Sequence, residues 1–315
     1  MKKRAKMSAG VPLLMISAMY ENGGNTTHRF LDGHPELFVY PFESQIGTRL
    51  VGDGLSAMFP VKYRWPIFAL DASPAADYHA IIDEEAKVRA RTPQVSKFRH
   101  MPFEFSDDER REHYLGYIAE SGRSAASNVG AFFKATFDAW KDHRRSGREK
   151  IYVGYSPIIV VDAAAILSQM PNAHVLHVVR NPWSGYADTK KRPVPMPLAS
   201  YILGWCLNQH FALLTKQLFP DRMHIVRAED VWAGPREALS ALCKALGIEP
   251  DPSLDIPSWN GERLEEICPW GTIRRATPEA NRATAAELST DEQAAVRHHA
   301  GLYLEQFGYS NFLQT

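Results

Sequence analysis

The chain has little cysteine, no excess of either charge and no long apolar run, and each shortage excludes a class of protein. Three cysteines, Cys206, Cys243 and Cys268, are odd in number and widely spaced, so they provide neither a disulfide framework nor a zinc site. A reducing, cytoplasmic setting is the simplest expectation. Thirty-six basic and thirty-six acidic side chains cancel, which leaves no overall field to draw nucleic acid or an anionic membrane as the main partner. Any anion site has to be local. No apolar run approaches the ~20 residues of a membrane helix. Lys2, Lys3, Arg4 and Lys6 ahead of the apolar stretch 11–19 imitate a secretory signal. Pro12 and Ser17 interrupt that stretch, and a polar turn follows in place of a small-residue cleavage site, so it reads as a strand.

With 45% apolar and 23% charged residues, the 315-residue chain can bury a full core, and one large domain spanning 1–315 is expected. Its organising stretch is 13–41, LLMISAMYENGGNTTHRFLDGHPELFVYP. A short apolar strand (13–17) leads through a glycine-containing turn (21–25) into a helix that opens with Thr26 and Thr27. Such a turn aims unpaired backbone N–H groups and the positive end of a helix dipole at one point, which makes an anion cradle. Gly23 and Gly24 carry no side chain to block a ligand. Gly33 and Pro35 stop the helix, and a second strand (36–40) follows at once.

From 44 to 150 the chain is polar and punctuated by glycine and proline, with helical tracts near 76–91 and 107–142. Tyr114, Tyr117, Phe132, Phe133, Phe137 and Trp140 recur at helical spacing in the second tract; core packing is the simpler reading, an acceptor-binding cap the other. Gly122 breaks that tract. Beyond 150 strands and helices alternate: strand 151–153, helix 158–170, a buried strand 174–179, and a helix at 183–191 after Arg180-Asn181-Pro182. A long helix at 198–218, strand 224–227, helix 235–246 stopped by Gly247, and a last helix from the capping-box sequence Ser289-Thr290-Asp291-Glu292 to 307 complete the pattern. Ligands in open α/β sheets bind beyond the carboxyl ends of the strands, so the loop at Arg180 should lie beside the cradle. The expected architecture is α/β, a P-loop-like three-layer fold whose central, mainly parallel sheet of about four to six strands has helices on both faces.

The strand–glycine turn–helix ending in Asp32-Gly33-His34-Pro35, and Pro171-Asn172-Ala173-His174 running through VLHVV to Arg180-Asn181-Pro182, resemble the sulfotransferases that use 3′-phosphoadenosine 5′-phosphosulfate. Trp205, VRAEDVW, Pro235, Leu246-Gly247 and Phe307-Gly308-Tyr309 agree, so the resemblance covers nearly all but about 50–150. It implies a first loop of the type Arg-Ser-Gly-Thr-Thr around the 5′-phosphosulfate. A gapless register from the Asp-Gly-His-Pro helix end puts those places on Glu21, Asn22, Gly23, Gly24 and Asn25, and is preferred. A register set by the paired threonines puts them on Gly23, Gly24, Asn25, Thr26 and Thr27. Either way the basic residue is missing, and Glu21 would repel a sulfonate. The resemblance also implies that Arg180 holds the 3′-phosphate together with a serine eight positions on. Asp188 occupies that serine place, with Thr189 next to it. The lysine of a Lys-Thr-Pro loop is replaced as well, by Tyr155 in Tyr155-Ser156-Pro157.

Sulfuryl transfer needs a base for the acceptor hydroxyl and donors at the leaving phosphate, and no metal. Glu43 resembles the base of the tyrosylprotein sulfotransferases, following the His-Pro pair at nearly the same distance. His34 is the competing base but is expected to hold the helix end, and His177 reads as a core histidine. The implied function is transfer of a sulfuryl group from that donor to a hydroxyl, with a small molecule favoured as acceptor and 50–150 supplying the acceptor side. A non-catalytic or altered-donor binding protein of the same fold is the alternative, on the strength of the missing cations. A nucleoside or sugar kinase is less favoured: Asn25 stands where the lysine of Gly-x-x-x-x-Gly-Lys-Ser/Thr would be, and Asp71, after an apolar run 67–70, reads as a helix cap as easily as a magnesium ligand.

Overall fold

Strand β1 (Leu13–Ala18) is wholly buried, and its alternate side chains enter two different cores. That placement needs a neighbour on each edge and helices on each face. In the computed structural model, which describes residues 11–96, 98–264, 267–268, 271–272 and 277–314, both conditions are met. Lys2, Lys3, Arg4 and Lys6 lie outside the described residues. β1 pairs in parallel with β3 (Ile151–Tyr155) and β4 (Ala173–Val179); β2 (Leu37–Val39) lies outside β3, and β5 (Met223–Arg227) outside β4. The five-stranded sheet thus runs β2-β3-β1-β4-β5 with every pairing parallel. Because β2 and β3 lie on one side of β1 and β4 and β5 on the other, the carboxyl end of β1 is a topological switch point, where such sheets bind ligands.

One face carries Leu13, Met15 and Val175 against Phe132 and Phe133 of α5 (Ala125–Ala139). The other carries Leu14, Ile16 and Ala18 against Phe30 and Leu31 of α1 (Gly24–Leu31), Val231 of α9 (Ala228–Ala233), and Leu239 and Leu242 of α10 (Pro235–Leu246). A third cluster beyond the strand ends joins Met19 and Val179 to Trp183 of α7 (Pro182–Lys190), Tyr201 and Trp205 of α8 (Leu198–Leu218), and Val296 and Leu304 of α12 (Thr290–Gln306).

The helical segment after β2 departs from the sequence reading. The tract near 76–91 is two helices, α2 (Pro74–Ala80) and α3 (Glu84–Arg91), and the long tract splits at Gly122 into α4 (Asp107–Ser121) and α5. The apolar run before Asp71 forms no strand, and Leu70 takes a left-handed φ of 59°. The first break has a physical cause. Asp83 leaves the helical path to receive Arg110, fully buried in α4, at 2.6 Å, and also accepts the Tyr40 hydroxyl at 2.9 Å. Arg110 binds Asp107 at 2.6 Å too, so burial pushing the Asp107 carboxyl up is outweighed and it sits at about 2. This buried knot ties the helical segment to the end of β2. Phe132, Phe133, Phe137 and Trp140 are all core residues.

Candidate active site

The ends of β1 and β4 lie side by side, Ala18 opposite Val178, so the turn after β1 and the loop at Arg180 leave the sheet together. The turn is shaped by two left-handed residues, Glu21 (φ 58°) and Gly23 (φ 84°), of which only glycine adopts that φ without cost. Asn22, 1% exposed, staples the two loops: its amide donates to the Tyr20 carbonyl (2.7 Å) and the Tyr201 hydroxyl (3.1 Å), and its oxygen accepts the Arg180 N–H (3.3 Å). Thr27 is equally committed, donating its hydroxyl (3.0 Å) and N–H (2.9 Å) to the Gly23 carbonyl. Helix α1 has no internal acceptor for the N–H groups of Gly24, Asn25 and Thr26, so these face outward at the positive end of its dipole.

The two glycines do not leave the space that their lack of side chains implies. A Cβ on Gly23 would lie 2.9 Å from Cζ2 of Trp232, and one on Gly24 would lie 2.6 Å from Cε2 and 2.8 Å from the hydroxyl of Tyr155. Trp232, from α9, and Tyr155, from the end of β3, therefore wall the turn.

Arg180 is 7% exposed and heavily engaged. Its Nε (3.0 Å) and Nη2 (2.7 Å) donate to Asn281 Oδ1, from α11 (Pro278–Ala285), and Nη1 donates to the Glu21 carbonyl (2.7 Å) and Asp188 Oδ2 (2.8 Å). Its guanidinium stands 5.2 Å from the Trp232 ring centre. Lys191 reaches Asp188 at 3.3 Å. The Thr189 hydroxyl faces away, buried and donating to the Gly185 carbonyl at 2.8 Å. Behind Arg180, the buried Glu229 accepts from Asn181, Asn281 and the Tyr309 hydroxyl, joining α11 and the chain's last turn to the loop.

Glu43 sits across the turn. Gln45 Nε2 donates to its Oε2 at 2.8 Å, and Asn25 Nδ2, in the first turn of α1, stands 3.5 Å from its Oε1. Gln45 is 2% exposed, holds a left-handed φ of 39°, and its own Oε1 is buried without a partner among the described residues. The Glu43 loop is pinned by Ser44, whose N–H (2.7 Å) and hydroxyl (3.1 Å) both donate to the Tyr155 carbonyl. The Glu21 carboxylate turns toward Arg192, 3.9 Å away; burial raises its pKa and Arg192 opposes that. Burial likewise pushes Tyr20, beneath the Arg192 guanidinium, up to about 12. His34 is buried just beyond α1, with both ring nitrogens engaged, by the Glu249 carbonyl (3.0 Å) and the Glu36 N–H (3.2 Å). His177 is buried against Gln209 at 2.9 Å, with its Nδ1 unpaired among the described residues. Gln45, Asn281 and Arg192 lie at the candidate site without a local signature in the sequence, and Trp232, the end of VRAEDVW, was part of the resemblance without being placed at the turn.

A family model described as the sulfotransferase family matches residues 23–252. The sulfotransferase domain from the curacin biosynthetic pathway is similar in structure, with a TM-score of 0.51 and 15% identity over 93% of this chain and 99% of its own. A sulfotransferase from Alicyclobacillus acidocaldarius gives 0.42 and 13% over 91% and 94%, and the sulfotransferase domain of the Synechococcus PCC 7002 olefin synthase 0.44 and 17% over 81% of each chain. No curated protein matches the sequence. The family match takes in the first turn from Gly23 onward, Glu43 and the Arg180 loop, on a parallel sheet of the same α/β class, and the chain therefore belongs to the sulfotransferase family.

Proposed function

We propose that this chain transfers a sulfuryl group from 3′-phosphoadenosine 5′-phosphosulfate to a hydroxyl of a small molecule, with Glu43 as the base. The observation that carries the reading is Glu43 beside Asn25, a carboxylate at the mouth of the outward-facing N–H groups of α1. Glu43 takes the proton of the acceptor hydroxyl, the acceptor oxygen bonds to sulfur, and the electron pair of the broken bond goes to the 5′-phosphate. The N–H groups of Gly24, Asn25 and Thr26 favour the charge that develops there. Arg180 is the group for the 3′-phosphate, which would replace Asp188 on one arm of the guanidinium fork. Residues 50–150 form the acceptor side in this reading, with a groove of about 1070 Å³ running from Arg49 and Lys62 to His79 and Lys87 as its entry. A single domain and a cytoplasmic setting fit it.

A second reading, nucleotide binding without turnover, draws on the same Arg180, whose donors are already committed to Asn281, Glu21 and Asp188. Two measurements separate them. Thermal unfolding should shift upward with millimolar 3′-phosphoadenosine 5′-phosphate under either reading, and no shift would refute both. Under the catalytic reading Glu43→Gln lowers turnover on a hydroxyl panel by ~10²-fold or more while that shift survives. Unchanged turnover would remove Glu43 as the base.

A further inference from the structure

Tyr155 ends β3 opposite Ile16 of β1, so its side chain leaves the carboxyl edge of the sheet next to the start of α1. Its ring edge and hydroxyl close on Gly24, Cε2 lying 2.6 Å and the hydroxyl 2.8 Å from the Cβ position of that residue, at the helix turn whose N–H groups face outward. The residue is 5% exposed, its hydroxyl makes no hydrogen bond to another described residue, and that oxygen is not sealed from solvent as the Tyr114 hydroxyl is. Buried tyrosines ordinarily pair that group. Here Tyr40 uses Asp83, Tyr78 Asp107, Tyr201 Asn22 and Tyr309 Glu229, while the Tyr114 hydroxyl, enclosed in the helical segment, has no partner among the described residues. Unlike that of Tyr114, the Tyr155 hydroxyl stands at a helix N-terminus with its oxygen not enclosed, a donor placed for an acceptor that the protein itself does not supply.

We infer that the Tyr155 hydroxyl donates a hydrogen bond to the bridging and 5′-phosphate oxygens of the sulfuryl donor, in the place where the family's lysine is missing. The inference rests on the sulfuryl-transfer reading and adds to it a residue that touches the leaving group. As sulfur passes to the acceptor oxygen and the acceptor proton to Glu43, the bridging oxygen gains the electron pair; Tyr155 keeps its proton and stabilises that charge. Burial, with Glu43, Tyr63, Glu21 and Tyr20 adding to it, holds the phenol well above its ordinary range, so the donor stays protonated throughout neutral pH. A neutral hydroxyl also sits beside Glu21 and Glu43 without forming the ion pair that a lysine would make with either.

Tyr155→Phe keeps the ring on Gly24 and removes only the oxygen. It should unfold at the parent's midpoint or above and lower turnover by ~10²-fold, the scale of losing one preorganised donor. It should weaken 3′-phosphoadenosine 5′-phosphate about tenfold while leaving adenosine 3′-monophosphate, which lacks the 5′-phosphate, unchanged. Parent-like turnover in the variant overturns the assignment. If the parent binds nucleotide without turning over, the affinity ratio decides alone, and equal bisphosphate affinity in parent and variant overturns it. A parent that binds neither nucleotide overturns the donor reading beneath it.

Discussion

Replacing Arg180 by alanine should cost about 3–5 kcal/mol of folding stability with no nucleotide present, because its guanidinium ties four elements together. The largest share comes from Asn281, 2% exposed, whose Oδ1 accepts two of its N–H groups and would be left buried and unpaired, a loss of about 1–3 kcal/mol. The Glu21 carbonyl and Asp188 can rehydrate, since the Asp188 side chain is 20% exposed and keeps Lys191; each contributes roughly 0.5 kcal/mol. The stack on Trp232 adds about 1 kcal/mol. Urea unfolding of Arg180→Ala, Asp188→Asn and the double variant, followed by tryptophan fluorescence, measures both the total and the Arg180–Asp188 coupling, which should be about 1 kcal/mol for a partly screened pair. A loss under 1 kcal/mol in Arg180→Ala would refute the reasoning and leave Arg180 as a group poised for ligand alone.

Acid should weaken the fold between about pH 6.5 and 4. Burial holds His143, His177 and His224 at about 4, so the unfolded chain binds protons in that window while the native one does not, and stability rises with pH across it. For fully buried His177, that is about 3 kcal/mol, and urea midpoints of His177→Gln should depend less on pH there than those of the parent; an equal slope would refute its part. Gly24→Ala should lower stability by about 1–3 kcal/mol as its methyl meets the Tyr155 ring and Ala18, and an unchanged melting temperature would mean that the ring does not rest on Gly24.

Elements defined by short-range patterns were legible in the sequence. Helix 198–218 and helix 235–246 occur with those bounds, Gly247 closes the second with a φ of 66°, and Ser289 and Glu292 form both bonds of the capping box. The five parallel strands fall within the expected number, and the two loops emerge side by side at the switch point. What failed was set by distant partners. Nothing near Asp83 announces a buried arginine in another helix, so the helix ending at Ala80 was read through. The open cradle inferred from Gly23 and Gly24 was likewise filled by rings from other elements. Asn281 lies 101 positions from Arg180, beyond the reach of any periodicity.

The missing cations have a common physical pattern. In the turn and the β3 loop, charge has been exchanged for fixed dipoles: α1 N–H groups, the Asn25 and Gln45 amides, and the Tyr155 hydroxyl. Fixed dipoles do not have to shed a tight hydration shell or lose the rotamer freedom of a long side chain when charge develops, so they act without reorganisation. They are also weaker than an ammonium in pulling a polyanion from solution. Arg180 and Arg192, cations near the turn, are each set against a carboxylate, Asp188 at 2.8 Å and Glu21 at 3.9 Å. On the proposed sulfuryl-transfer reading, an entering donor would have to exchange with carboxylates that already occupy these cations, and the exchange would favour binding only insofar as the outward N–H groups of α1 gain a partner they otherwise lack.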